Sequence, residues 1–203
     1  MKTGFFGGAS VAFVLLAILF LGPVTAKAAE FSADVNQTAN GRSIPGKLYV
    51  KDKQMRLETM GTATIVDMNK GKSWVIMSGV NAYLEMGGVG ALGRGAMDEE
   101  QIAEIGERKL VGKETVNGYE CEKYLVEFKD RSLGTVTQWV STKLDYPVKF
   151  ISTGGAMEAA FELTNIEESE VDPSLFVIPS GYQKMEMPNM NNMKGMTQGG
   201  QSR

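Results

Sequence analysis

Between Phe31 and Ser152, apolar and polar residues alternate with a period of two in short runs separated by turn residues. Side chains in a β-strand point to opposite faces in turn, so this pattern predicts strands rather than helices. Phe31, Ala33 and Val35 fall on one face of a first strand, Phe31–Thr38, and Ile44, Gly46, Leu48 and Val50 on one face of a second, Ile44–Lys51. Gln54–Thr59, Thr62–Met68, Ser73–Ser78 and Ala82–Met86 follow, joined by Asp52-Lys53, Asn69-Lys70-Gly71 and Ser78–Asn81. Close spacing of this kind suits a meander and leaves no room for crossover helices.

The stretch Leu110–Ser152 is the centre of the pattern. It holds three β-type runs, Tyr119–Lys129, Thr135–Thr142 and Pro147–Ser152, rich in Val, Thr, Tyr, Trp and Phe. These residue types suit a pleated, half-buried surface. Asn117-Gly118 is a hairpin signal, because a type I′ turn needs φ > 0 at both central residues. Asp145-Tyr146-Pro147 marks another turn, since a residue before proline is pushed to extended geometry. Ala156–Glu167 could be helix by its alanines or strand by its alternation of Ala159, Phe161 and Leu163; the preceding Gly154-Gly155 favours strand. Asp172-Pro173-Ser-Leu-Phe176 predicts one helical turn with proline at its first position.

The glycine-rich loop Gly87–Gly95 contains a literal G-x-G-x-x-G from Gly88 to Gly93. A dinucleotide fingerprint needs those glycines to enter a helix directly. Here the predicted helix, Glu99–Ile105, starts later, behind an Asp98 cap with Gln101 completing a capping box. The loop therefore reads as a lid beside the sheet.

Composition narrows the function. The 203-residue chain has a net charge of −3 and no histidine. The acidic balance argues against a nucleic-acid partner. Lack of histidine removes the commonest general base and metal ligand. No nucleophile elbow or zinc-protease motif is present either. The clustered acids Asp98–Glu100 and Glu167–Glu170 read as solvated surface, so no enzyme is expected. Cys121 is the sole cysteine and is expected to lie buried in the sheet.

Residues 1–28 have the form of a signal peptide: Lys2, an apolar run Ala9–Gly22, Pro23, and an A-x-A site at Ala26-Lys27-Ala28. Val24-Thr25-Ala26 is a second possible site, and an uncleaved anchor is the other reading of a run that is short for a spanning helix. No cysteine follows the run to carry a lipid. A periplasmic protein that does not span the membrane is expected, with residues 29–184 as its one domain. Beyond Lys184 lies a polar, methionine-rich tail without periodicity, expected to be disordered. Met185, Met187, Met190, Met193 and Met196 are spaced so that several soft thioethers could surround one Cu(I) ion. Met55, Met60, Met68, Met77 and Met86 recur through the meander, as core filler or as an adaptable apolar binding surface.

Laid out in order, the segments resemble the LolA/LolB superfamily, most closely a LolA-like family of exported bacterial proteins. Gly46–Lys51 with Met55-Arg56-Leu57, Ile65-Val-Asp67 with Ser73–Ile76, and Leu110–Glu114 with Asn117-Gly118-Tyr119 carry the resemblance. So do Trp139-Val-Ser141 with Tyr146–Lys149, and Phe176–Tyr182. The resemblance implies a mainly β fold: a single curved antiparallel sheet forming an incomplete barrel, with a short helix and a lid. It also implies a lipid or other hydrophobic ligand, held without catalysis or cofactor in the concavity. The residues expected to line it are Leu48, Val50, Leu57, Trp74, Ile76, Leu84, Trp139 and Phe150, although for any one of them ordinary core is the favoured reading. Where the lipoprotein carrier has a functional arginine after this strand, the chain has Asp52, so that role is not carried over. An envelope protein partner is the other binding function left open.

Overall fold

The computed structural model describes residues 30–39, 41–87, 104–155 and 158–186. The expected signal peptide, the G-x-G-x-x-G loop, most of the Glu99–Ile105 helix and the tail from Met187 onward lie outside the described residues.

Twelve strands form one sheet: β1 (Glu30–Ala39), β2 (Arg42–Lys51), β3 (Gln54–Thr59), β4 (Thr62–Asp67), β5 (Lys72–Met77) and β6 (Ala82–Gly87). Further along the chain come β7 (Gly106–Val116), β8 (Tyr119–Phe128), β9 (Thr135–Ser141), β10 (Tyr146–Thr153), β11 (Ala159–Glu167) and β12 (Gln183–Met185). The spatial order is β12-β6-β5-β4-β3-β2-β1-β11-β10-β9-β8-β7. Two meanders thus meet where β1 pairs with β11. All neighbours are antiparallel except β12, which adds in parallel to β6 and makes the sheet mixed.

The turns have the backbone their residues favour. Asn117 and Gly118 both have positive φ (50° and 84°), as a type I′ hairpin requires. Pro45 sits in β2 opposite Asn36 but beyond the last residue paired with β3, so its missing N–H costs no ladder bond. Asp172 accepts from Ser174 N at 2.8 Å and caps the 3-10 turn Pro173–Phe176.

The sheet is strongly curled without closing. β3 and β10 are four positions apart, about 19 Å in a flat sheet. Yet the Tyr146 hydroxyl lies 3.2 Å from the Met55 sulfur, and the Phe31 and Tyr146 rings meet edge to face at 5.1 Å. Bulges between Ser32 and Asp34, Pro147 and Lys149, and Leu110 and Gly112 supply local bending. The core at this end joins both meanders, with Val35, Leu48 and Leu57 in one cluster with Val126, Val136, Val148 and Leu163.

A second, smaller cluster lies on the convex face. Ala63, Ile65 and Ile76 are covered there by Val171 and Phe176, with Tyr49, Trp74, Tyr83, Leu175 and Tyr182 packed around them. The segment from 171 to 182 is therefore a strap across the outside of β2–β6.

At the other end, the turn Arg131–Leu133 packs on the loop after β10 through glycines. Gly134 has φ +72°, and a Cβ there would sit 2.1 Å from the Thr153 carbonyl oxygen. Gly134→Ala is expected to cost roughly 1–3 kcal/mol. Gly79→Ala, with nothing within 4 Å, should stay within about 0.5 kcal/mol of wild type in urea unfolding. Equal midpoints for the two variants would show that the contact is not tight.

Candidate functional site: the concave face

Register assigns every strand residue to a face, because directly paired residues share one. Ala33, Leu48, Leu57, Thr64, Val75 and Leu84 form one cross-strand row from β1 to β6. Met185 of β12 extends it opposite Leu84. Phe31, Val50, Met55, Val66, Ser73 and Met86 form the next row. On the other meander, Gln37, Phe161, Phe150, Gln138 and Tyr124 line up on the same face. Phe150 and Phe161 stack with centroids 5.4 Å apart. Both halves of this face contribute to the main core cluster, so it is the concave one.

Five of the eight expected lining residues share this face: Leu48, Val50, Leu57, Leu84 and Phe150. The other three do not. Trp74 pairs with Ile65 and Ile76 with Ala63, which places both on the convex face beneath the strap. Trp74 Nε1 donates to Glu85 Oε2 at 3.3 Å. Trp139 sits opposite Lys123 and Lys149, on the face away from its neighbour Gln138. Their ammonium groups lie 4.8 and 5.5 Å from its ring centroid, and its Nε1 donates to Glu114 at 3.0 Å. Trp139 is buried and belongs to the main core cluster, and it also makes these cation–π contacts and an indole hydrogen bond. The same hydrogen bond from Trp139, then one from Lys123, holds the Glu114 carboxyl below its usual range.

Burial separates the five that remain. Leu48, Val50, Leu57 and Phe150 are closed into the core. Leu84 is half-buried, as are Val75, Met77 and Met86 on the same face of β5 and β6. Accessible apolar surface therefore concentrates on that wing. Val75 was not among the expected residues; Met77 and Met86 carried a signal in the methionine recurrence. Along β2 the same face opens progressively, from buried Val50 and Leu48 through half-buried Gly46 and Ile44 to exposed Arg42. The concavity is closed at the Phe31–Tyr146 end; toward the Arg42 end it opens along β2, while Ala39, Ala159, Val136 and Val126 of the same cross-strand row stay buried. An open pocket of about 800 Å³ lies at the ends of β7–β10, where Glu127, Thr135 and Thr153 form a row on the convex face.

Cys121 is buried, and burial pushes its thiol pKa up. This describes an inert core thiol. Of the five tail methionines, Met185 alone is described; it is exposed at the end of the β6–β12 edge. Among the described residues, no helix is long and apolar enough to cross a membrane.

The strap is fastened by two basic residues. Lys51 Nζ donates to Glu30 Oε1 at 2.5 Å and to the Val171 carbonyl at 3.0 Å, while Val171 N donates to Glu30 at 2.8 Å. Arg56 Nη1 donates to the Leu175 carbonyl at 2.9 Å, with its Nε on Glu58 at 2.7 Å. The hydrogen bond from Lys51, followed by that from Val171 N, lowers the Glu30 pKa. A depressed carboxylate stabilises above its unfolded pKa and loses that contribution as pH falls through the folded value. The strap is therefore expected to be held at neutral pH and to loosen in acid. Glu30→Gln should loosen it at neutral pH, read as faster protease cleavage between residues 168 and 182. Cleavage at the wild-type rate would show that the clamp does not hold the strap.

No family model and no curated sequence matches the chain. Solved structures do. An uncharacterized conserved protein from Thermus thermophilus matches with a TM-score of 0.57 at 11% identity, over 78% of this chain and 90% of that one. The Pseudomonas aeruginosa MucA/MucB complex matches with a TM-score of 0.55 at 13% identity, over 74% of this chain and 56% of that one. The chain thus spans about half the length of the MucB chain it matches. A LolA superfamily protein from Nitrosomonas europaea matches at 11% identity over 76% of this chain and 92% of that one, with a TM-score of 0.35, too low to carry an argument. At such identities a likeness reaches the fold and no further. The architecture is the one expected from the sequence: a mainly β fold of one curved sheet that stops short of a barrel.

Proposed function

We propose that the protein is a non-catalytic binding protein of the bacterial periplasm, which holds a lipid or other apolar ligand against its concave face. The observation that carries this reading is the half-exposed apolar row on β5 and β6: Val75, Met77, Leu84 and Met86. Apolar surface of this kind gains stability when covered, at about 25 cal/mol per Å². Methionine and leucine side chains adapt to ligands of variable shape. The closed Phe31–Tyr146 end gives such a trough a floor, and the exposed end of β2 gives it an entrance.

A protein partner is a second reading, favoured by the β7 edge. Seven successive residues there, from Lys109 to Thr115, are exposed, including Leu110 and Val111 at over half of their surface. A long edge strand of this kind can accept an added strand from another chain.

The concave-face reading is tested with an apolar fluorescent probe such as N-phenylnaphthylamine. Saturable binding is expected, and Leu84→Asp should weaken it about tenfold or more. Lys47→Glu on the convex face should leave it unchanged. Absence of saturable binding, or equal effects of the two variants, would contradict the reading.

A further inference from the structure

The two edges of the sheet differ. One is β12, three residues long. The other is β7, the longest described strand at eleven residues, which among the described strands pairs with β8 alone. A long open edge is a template for a further strand, and lysines and bulges are the usual guards against indiscriminate pairing. β7 carries both: Lys109, Lys113 and the bulge between Leu110 and Gly112. Between these guards it exposes Leu110 and Val111, two large apolar side chains adjacent in sequence. Nothing within the chain calls for glycine at the next position. The φ of Gly112 lies outside the left-handed region, and a Cβ there would meet nothing within 4 Å. A glycine in mid-strand weakens the strand and marks a place where another backbone comes close.

The bulge also reverses the alternation along β7. Before it, Glu107 and Lys109 face the convex side and Arg108 and Leu110 the concave side. After it, Gly112 and Glu114 are convex and Lys113 is concave. Directly opposed residues of an antiparallel pair share a face. Two copies of β7 therefore match where residues before the bulge oppose residues after it. A twofold axis between Val111 and Gly112 achieves this. Val111 then faces Gly112 of the second copy, where no side chain obstructs it. Leu110 faces Lys113, Lys109 faces Glu114 and Arg108 faces Thr115, each pair occurring twice. The extra residue of each strand falls at the axis, so the ladders on either side stay in step. Neighbouring registers oppose like charges: one residue away Lys109 meets Lys113, and two away Arg108 meets Lys113 and Glu107 meets Glu114. Lys109 and Glu114 have partners within the chain, Glu107 and Glu127 for the first, Lys123 and the Trp139 indole for the second. Their side chains are nevertheless 48% and 50% exposed, open to a further partner.

We propose that the protein pairs with a second copy of itself through β7, as an antiparallel twofold dimer with Val111 opposite Gly112 and Lys109 opposite Glu114. This rests on the β7-edge reading above and names the partner strand. Main-chain hydrogen bonds between the two edges hold the pair, and Leu110 and Val111 lose water contact. The two Lys109–Glu114 pairs select the register. The same lysines that guard the edge against other strands are matched in this one. A contact confined to one strand from each copy makes the dimer weak and reversible.

The test is sedimentation velocity of the purified protein from about 1 to 300 µM, where a monomer–dimer equilibrium is expected. Lys109→Glu and Glu114→Lys each set like charges opposite one another twice, and each should weaken the dimer about tenfold or more. Mixed in equal amounts, the two variants should recover association at the wild-type strength, because every reversed charge then faces its complement. Loss caused by misfolding would not recover on mixing. A protein that stays monomeric over the whole range overturns self-pairing and leaves the edge to a strand from a different protein. A dimer that neither reversal weakens is held by another surface, and the edge reading falls with the proposal. Weakening without recovery on mixing overturns the register and the proposal with it.

Discussion

One constraint underlies everything in this molecule: the register of a hydrogen-bonded sheet. Each ladder fixes which residues face one another, and the period of two then fixes which side of the sheet they occupy. A slip of one residue in β2 would bring Tyr49 and Lys51 to the inside and turn Leu48 and Val50 out. The neighbouring pairings oppose it. Gly46 helps hold the register, since a Cβ at that position would lie 2.5 Å from the Glu58 carbonyl oxygen. A side chain at that position would not fit against β3.

Curvature turns two faces into an inside and an outside. Once β3 and β10 touch through Met55 and Tyr146, the face bearing Phe31 and Leu163 becomes concave and crowded. The opposite face is left outside and needs other cover. Part of it is roofed by the strap, whose Val171 and Phe176 shield Ile65 and Ile76. The rest is covered by long charged side chains, whose aliphatic stems shield apolar surface while their heads stay in water. Lys123 and Lys149 do this for Trp139. The surface ion pairs among these residues contribute little each to stability; their effect is to keep charge outside. The inner face is left with few charges among the described strand residues, its polar groups being uncharged ones such as Thr64, Ser73 and Gln138.

Much of this was legible in the chain itself. Period-two runs located β1 to β6 and β8 to β10 to within one or two residues, and β11 to within three at its start, because alternation and turn chemistry agree there. Asn117-Gly118 named its hairpin, and Asp172-Pro173 its turn. β7 was harder. GERKLVGKETV is polar on both sides of a bulge, so alternation is lost where the strand is exposed. β12 is three exposed residues held by pairing with β6, a tertiary contact that no local pattern encodes. Facing was the larger difficulty. β5 is apolar at Trp74 and Ile76 on one side and at Val75 and Met77 on the other, so its sequence does not say which side is inside. The same holds for β9, with Trp139 against Val136 and Val140. Large aromatics suggested a lining, but the outside needed them to anchor the strap and to stack under lysines.

The most direct test of a ligand-holding concave face is native mass spectrometry of the protein purified from cells without detergent. A trough built for an apolar chain predicts a population carrying extra mass in the range of a lipid, which leaves on organic extraction and is reduced in Leu84→Asp. Polypeptide mass alone, unchanged by extraction and identical in the variant, would contradict it.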